Sequence, residues 1–192
     1  MKKIFLLAII YVCFITHSFG QINWGYKVGL NVSRVRNSSH NDFTSNLNFN
    51  TGALAKFKLD KNYFINVECL LSLKGFNSLL IPSGTTSTNF SYLTLPILFE
   101  YNTSNKFYFQ IGPELNYLIG AKMKNSTTDI SVADNYNKFD ISLAGGVGYK
   151  ISKKVSLETR YIYGLSQINQ KPEIFGSQYN RTFQVNLIYW FK

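Results

Sequence analysis

Residues 107–123 read FYFQIGPELNYLIGAKM, with Phe107, Phe109, Ile111, Pro113, Leu115, Tyr117, Ile119, Ala121 and Met123 at the odd positions. The even positions include Gln110, Glu114, Asn116 and Lys122. A period of two belongs to a β-strand, whose successive side chains point to opposite faces, so one stripe is apolar and the other polar. At ~3.3 Å per residue the stretch extends to roughly 55 Å, whereas an ordinary globular strand has about 5–6 residues and a tilted bilayer-crossing strand about 9–11. It is long enough to cross a membrane and project beyond it.

The alternation recurs along the chain. Strands are expected at 24–35, 49–59, 63–75, 90–101, 107–123, 138–151, 155–166 and 181–191. The connections alternate between long polar loops (36–48, 77–89, 125–137, 167–180) and short turns (60–62, 102–105, 152–154). An even strand number, with short turns at one end and long loops at the other, is the layout of an up-and-down membrane barrel. The expected fold is all-β: an eight-stranded antiparallel up-and-down transmembrane β-barrel.

The charges decide which stripe faces lipid. Lys27, Lys56, Glu68, Lys74, Glu100, Glu114, Lys122, Asp140, Lys150, Glu158 and Arg160 all fall on the polar stripe, with Lys58 and Lys138, whereas Arg181, at a strand end, falls on the other. A charge facing lipid at mid-depth costs up to ~2–4 kcal/mol, so the polar stripe faces the lumen. A soluble barrel would place its apolar residues inside and push all these charges outward. Buried charges need partners, so Glu68, Glu100, Glu114, Asp140 and Glu158 are expected to pair with Lys27, Lys56, Lys74, Lys150 and Arg160 in some combination. Pro96 and Pro113 each remove a ladder donor and are expected to mark bulges. Gly145, Gly146 and Gly148 lack the following helix and Lys-Ser/Thr of a phosphate loop, and read as close packing inside a narrow barrel.

Residues 1–20 stand apart: Lys2 and Lys3, an apolar run over 4–15, and Ser18-Phe19-Gly20 read as a secretory signal peptide cleaved before Gln21. The expected barrel domain is then 21–192. Cys69 alone remains after such cleavage, which excludes a disulfide-stapled fold. Losing Lys2 and Lys3 lowers the formal charge from +10 to +8. That surplus comes without any nucleic-acid-binding motif, and suits contact with anionic lipid head groups or lipopolysaccharide phosphates. The remaining histidine, His40, lies in the run Ser38-Ser39-His40-Asn41-Asp42. Sequence neighbours rarely produce triad geometry, so neither an enzyme nor a cofactor or metal site is expected.

With the strands laid out, GYKVGLNVS (25–33), SYLTLPILFEY (91–101), FYFQIGPELNYLIGAK (107–122), FDISLAGGVGYKI (139–151), LETRYIYGL (157–165) and NRTFQVNLIYWF (180–191) resemble the small outer-membrane β-barrel family of Bacteroidota, the PorT-like or porin-family barrels. The resemblance covers most of the chain after residue 20. It implies an outer-membrane location with both termini periplasmic, and no agreed activity. A departure is Lys192, which follows Phe191 where an insertion signal commonly ends on an aromatic.

Three functional readings remain open at this level. The first is a structural or surface-interaction barrel with a filled polar lumen. The second is a narrow porin-like channel for small solutes or ions. The third, implied by the PorT-like resemblance alone, is an accessory part in secretion. Expected partners are outer-membrane lipid and lipopolysaccharide, the barrel-assembly machinery during biogenesis, and an unknown extracellular ligand or protein at the loops.

Overall fold

A computed structural model of the protein describes residues 22–37, 43–80, 84–103, 106–124 and 129–191. The segment read as a signal peptide and the run around His40 lie outside the described residues.

Eight long strands form the wall: β1 (Asn23–Asn37), β2 (Phe43–Lys58), β3 (Tyr63–Leu80), β4 (Gly84–Asn102), β5 (Phe107–Lys124), β7 (Phe139–Lys150), β8 (Val155–Gly164) and β9 (Gln178–Trp190). A three-residue strand, β6 (Asp129–Ser131), pairs with the outer end of β5. Each wall strand pairs antiparallel with its neighbour in sequence, and β1 pairs with β9, so the eight-stranded wall closes on itself. Closure satisfies the backbone hydrogen bonds without water, which is what a spanning β structure requires. The turns at 59–62 and 151–154, and the adjoining ends of β4 and β5 at Asn102 and Phe107, lie at the same end as residues 22 and 191. By the rule that the short turns are periplasmic, the opposite end is extracellular.

Apolar side chains are outside. Trp24, Tyr26, Val28, Leu30 and Val32 of β1 are all exposed, as are Phe183, Val185, Leu187 and Tyr189 of β9. Aromatic pairs gather near the turn end, with ring centroids 5.3 Å apart for Tyr63 and Tyr101 and 4.9 Å for Phe107 and Tyr149. Higher up, Tyr117 meets Phe139 at 5.2 Å. An apolar band flanked by aromatics is the exterior of a membrane barrel.

Three expectations need correction. The stretches 36–48 and 77–89 are largely strand: β3 and β4 stay paired up to Leu80 and Gly84, through Asn77 with Ser87 and Ser78 with Thr86. Their Ser, Thr and Asn side chains suit a wall that has left the lipid, where alternation no longer needs apolar residues. Pro96 and Pro113 sit in uninterrupted register, opposite Glu114 and Leu143 respectively, with no bulge. The shift in β4–β5 instead falls where Ser91 pairs with Gly120 and Tyr92 with Leu118, leaving Ile119 unpaired. Beyond it the faces exchange: Ala121 is buried and Lys122 is exposed, so Lys122 is not a lumen residue.

Candidate functional site

The lumen is built from inward positions on every wall strand. Nine of the expected lumen charges are buried: Lys27, Lys56, Glu68, Lys74, Glu100, Glu114, Asp140, Glu158 and Arg160. At mid-height Arg160, on β8, places Nη1 3.0 Å from Glu68 Oε2 and Nη2 2.8 Å from Glu68 Oε1, on β3. In the closed order of eight wall strands, β8 and β3 are diametrically opposite. This bidentate pair therefore crosses the whole bore. Lys27 joins it, with Nζ 2.7 Å from Glu68 Oε1 and 3.0 Å from Glu158 Oε1, and Arg160 Nη2 lies 2.9 Å from Glu158 Oε1. Two cations and two carboxylates thus close a neutral cluster, the arrangement in which attraction offsets the large cost of removing charges from water.

Glycine makes this cluster fit. A Cβ on Gly146 would lie 2.4 Å from the Thr159 carbonyl oxygen, and one on Gly148 would lie 1.9 Å from the Tyr108 ring. Tyr108 pairs directly with Gly148 and folds over it into the interior. Close packing is thus what these glycines supply, as their sequence context suggested.

Two satellite pairs lie towards the ends. Lys74 reaches Glu114 at 2.9 Å and Asn116 Oδ1 at 3.0 Å. Near the periplasmic mouth Lys56 reaches Glu100 at 2.7 Å, and Asn66 donates to the other Glu100 oxygen at 2.5 Å. The Lys56 ammonium also stands 4.4 Å from the Trp190 ring centroid, a cation–π contact. Two residues depart from the expected pairing. Asp140 accepts hydrogen bonds from Ser166 Oγ at 2.7 Å and Asn180 Nδ2 at 2.8 Å, with no cation in ion-pair range among the described residues. Lys150 is half-buried at the periplasmic mouth beside Lys56, Ser152 and Trp190, and likewise forms no ion pair among the described residues.

Sequence reasoning missed two features. One is an amide ladder: Asn50 Nδ2 donates to Asn31 Oδ1 (2.7 Å) and Asn186 Oδ1 (3.0 Å), and Asn186 Nδ2 donates to Glu158 Oε1 (3.1 Å). Asparagines repeating at inward positions were its visible signal. The other is an apolar cluster in the outer part of the interior, among buried polar residues such as Thr88 and Asn180. Val35, Phe76, Phe90, Tyr92, Leu118, Ala121 and Ile168 form a buried cluster, against which Val132, Ala133 and Tyr136 pack from the connection before β7. Two connections meet over it: Tyr136 bridges to Asn169, and Asn137 N–H donates to the Ile168 carbonyl at 2.7 Å. The extracellular end is thereby capped.

Closed wall, apolar exterior and charged, side-chain-filled interior now stand together. A family model described as outer membrane protein beta-barrel domain matches residues 16–170. The chain belongs to that family. Its place is the bacterial outer membrane, and the apolar exterior band agrees with a wall that faces lipid. No curated protein matches the sequence significantly. Among solved structures, this outer-membrane barrel is similar to Neisserial surface protein A, with 12% identity and a TM-score of 0.57 over 86% of this chain and 96% of that one. It is also similar to Ail, the attachment invasion locus protein of Yersinia pestis, with 13% identity and a TM-score of 0.52 over 88% of this chain and 98% of that one. At these identities the likeness is one of fold.

Proposed function

We propose that this outer-membrane barrel is an occluded structural or surface-interaction protein, whose lumen network holds the wall rigid while the extracellular end meets external partners. One observation carries the reading: the Arg160–Glu68 pair spans the bore between opposite strands, beneath an apolar cap. A conducting path needs a continuous polar file that an ion can enter and leave. Here mid-height is filled by paired charges, and further out the Phe76, Phe90, Tyr92 and Leu118 cluster packs across the interior. The named neighbours include a surface protein and an attachment protein, which agrees with a role at the cell surface.

Cleavage of the signal before Gln21 and delivery by the barrel-assembly machinery belong to the same proposal. The narrower PorT-like relationship, and a part in secretion with it, rests on sequence resemblance alone and ranks behind the surface reading. The test is to bind labelled protein, refolded in nanodiscs, to an array of host and bacterial surface components, with a variant whose extracellular loop 165–177 is replaced by Gly-Ser of equal length. Saturable binding lost in the variant supports surface interaction. Binding that survives the replacement, or solute flux through the barrel, contradicts it.

A further inference from the structure

The outer face of β1 changes character abruptly. Its outward positions are apolar from Trp24 to Val32, about 26 Å along the strand at ~3.3 Å per residue, comparable with the ~25 Å apolar band of such barrels. The next two outward positions are Arg34 and Arg36, both exposed. On β9 the outward series Tyr189, Leu187, Val185 and Phe183 is exposed and ends in Arg181, which is itself largely buried against the wall. The register sets Arg34 directly opposite Arg181, and Arg36 opposite Tyr179. Like charges directly across a strand pair are unfavourable, and among the described residues no carboxylate forms an ion pair with any of the three arginines. An external anion would relieve that repulsion.

The surroundings are built to receive one. The Arg181 guanidinium lies 3.5 Å from the Tyr163 ring centroid, and its Nη1 donates to the carbonyls of Gly164 and Asn180, each at 2.8 Å. These contacts fix a guanidinium that is otherwise adjacent to lipid. Arg36, Tyr163, Leu165, Tyr179 and Arg181, together with Asn37, line an open depression of about 480 Å³ at the outer end of the β1–β9 pair. Guanidinium forks match phosphate bidentately, and the apolar strip below them, Val32 and Phe183, suits acyl chains.

We propose that Arg34, Arg36 and Arg181 form a binding site for the phosphate of an outer-leaflet glycolipid, with its acyl chains running down the β1–β9 face. This rests on the exterior being the lipid-facing surface. The protein is reconstituted in phosphatidylcholine nanodiscs containing either phosphorylated lipid A or its dephosphorylated form, and lipids retained after detergent extraction are counted by native mass spectrometry. The wild type retains the phosphorylated form with about tenfold preference, the scale of a charge-assisted hydrogen bond, and Arg34→Gln/Arg36→Gln loses that preference. Equal retention of both lipids by the wild type, or an unchanged preference in the double variant, overturns the site. Displacement of the lipid by sucrose octasulfate at equal concentration would make this a site for a soluble polyanion and also overturns it. Protease protection of the wall strands, read on the same samples, separates this outcome from failure of the lipid-facing reading: an uninserted barrel contradicts that reading, and an inserted barrel without lipid preference contradicts only the site.

Discussion

Arg160 is the side chain on which the mid-height cluster depends, because it bonds both Glu68 and Glu158. Truncating it to Met leaves two buried carboxylates with Lys27 alone, and breaking such a buried set costs about 3–5 kcal/mol. The expected result for Arg160→Met is a urea midpoint lowered accordingly, while Arg160→Met combined with Glu68→Leu recovers much of the loss; an unchanged single variant would mean the pair is not formed. Gly148 gives a second prediction. Gly148→Val meets the Tyr108 ring and destabilises by about 1–3 kcal/mol, as overpacking does, and Tyr108→Ala in the same chain restores part of it in the same unfolding assay. At this scale the sequence was legible in face and illegible in height. Alternation put Lys27, Glu68, Glu158 and Arg160 on the inward stripe. Which of them meet depends on the stagger of strands far apart in sequence, and that is why Asp140, expected beside a cation, lies beside Ser166 and Asn180.

Among the elements, β5 shows where strand periodicity stops being a guide. The unpaired Ile119 exchanges the two faces within a continuous strand, so reading by parity carried Lys122 to the wrong side. Nothing in residues 107–123 signals the shift except Gly120, where an added Cβ would meet nothing within 4 Å. The lipid face is more regular, and Val185→Arg, at mid-strand on β9, should cost about 2–4 kcal/mol in lipid-vesicle folding titrations, against under about 1 near the interface. The cap is a separate element. Tyr136, outside the membrane-spanning wall, lies edge-on to Phe90 with centroids 4.7 Å apart, and burial pushes its phenol up from the usual 10 to about 12. A folded-state value above the unfolded one means that the neutral phenol's contribution is complete below pH 10 and is lost as pH rises through about 12. Ultraviolet difference titration should show one phenolate appearing near pH 12 in wild type and missing in Tyr136→Phe. Titration of that tyrosine at its ordinary value would mean the cap does not bury it. The cap escaped sequence reasoning because Phe90, Tyr92 and Leu118 are apolar at inward positions, where the charged mid-lumen led one to expect polar residues.

For the whole molecule, a closed sheet with an apolar exterior and a neutralised interior accounts together for the membrane location and for a filled bore. The charged lumen was visible from composition by stripe, and nine of the charges so placed are buried inside the wall. A filled polar lumen was among the readings open from the sequence, but its means were not visible there: pairs across the diameter, and two connections that fold inward over the top. Planar-bilayer recording of the inserted wild-type protein tests that occlusion most directly. An occluded lumen gives a silent bilayer, with insertion verified by protease protection. Discrete conductance steps from the wild-type barrel would contradict it and make the lumen a channel.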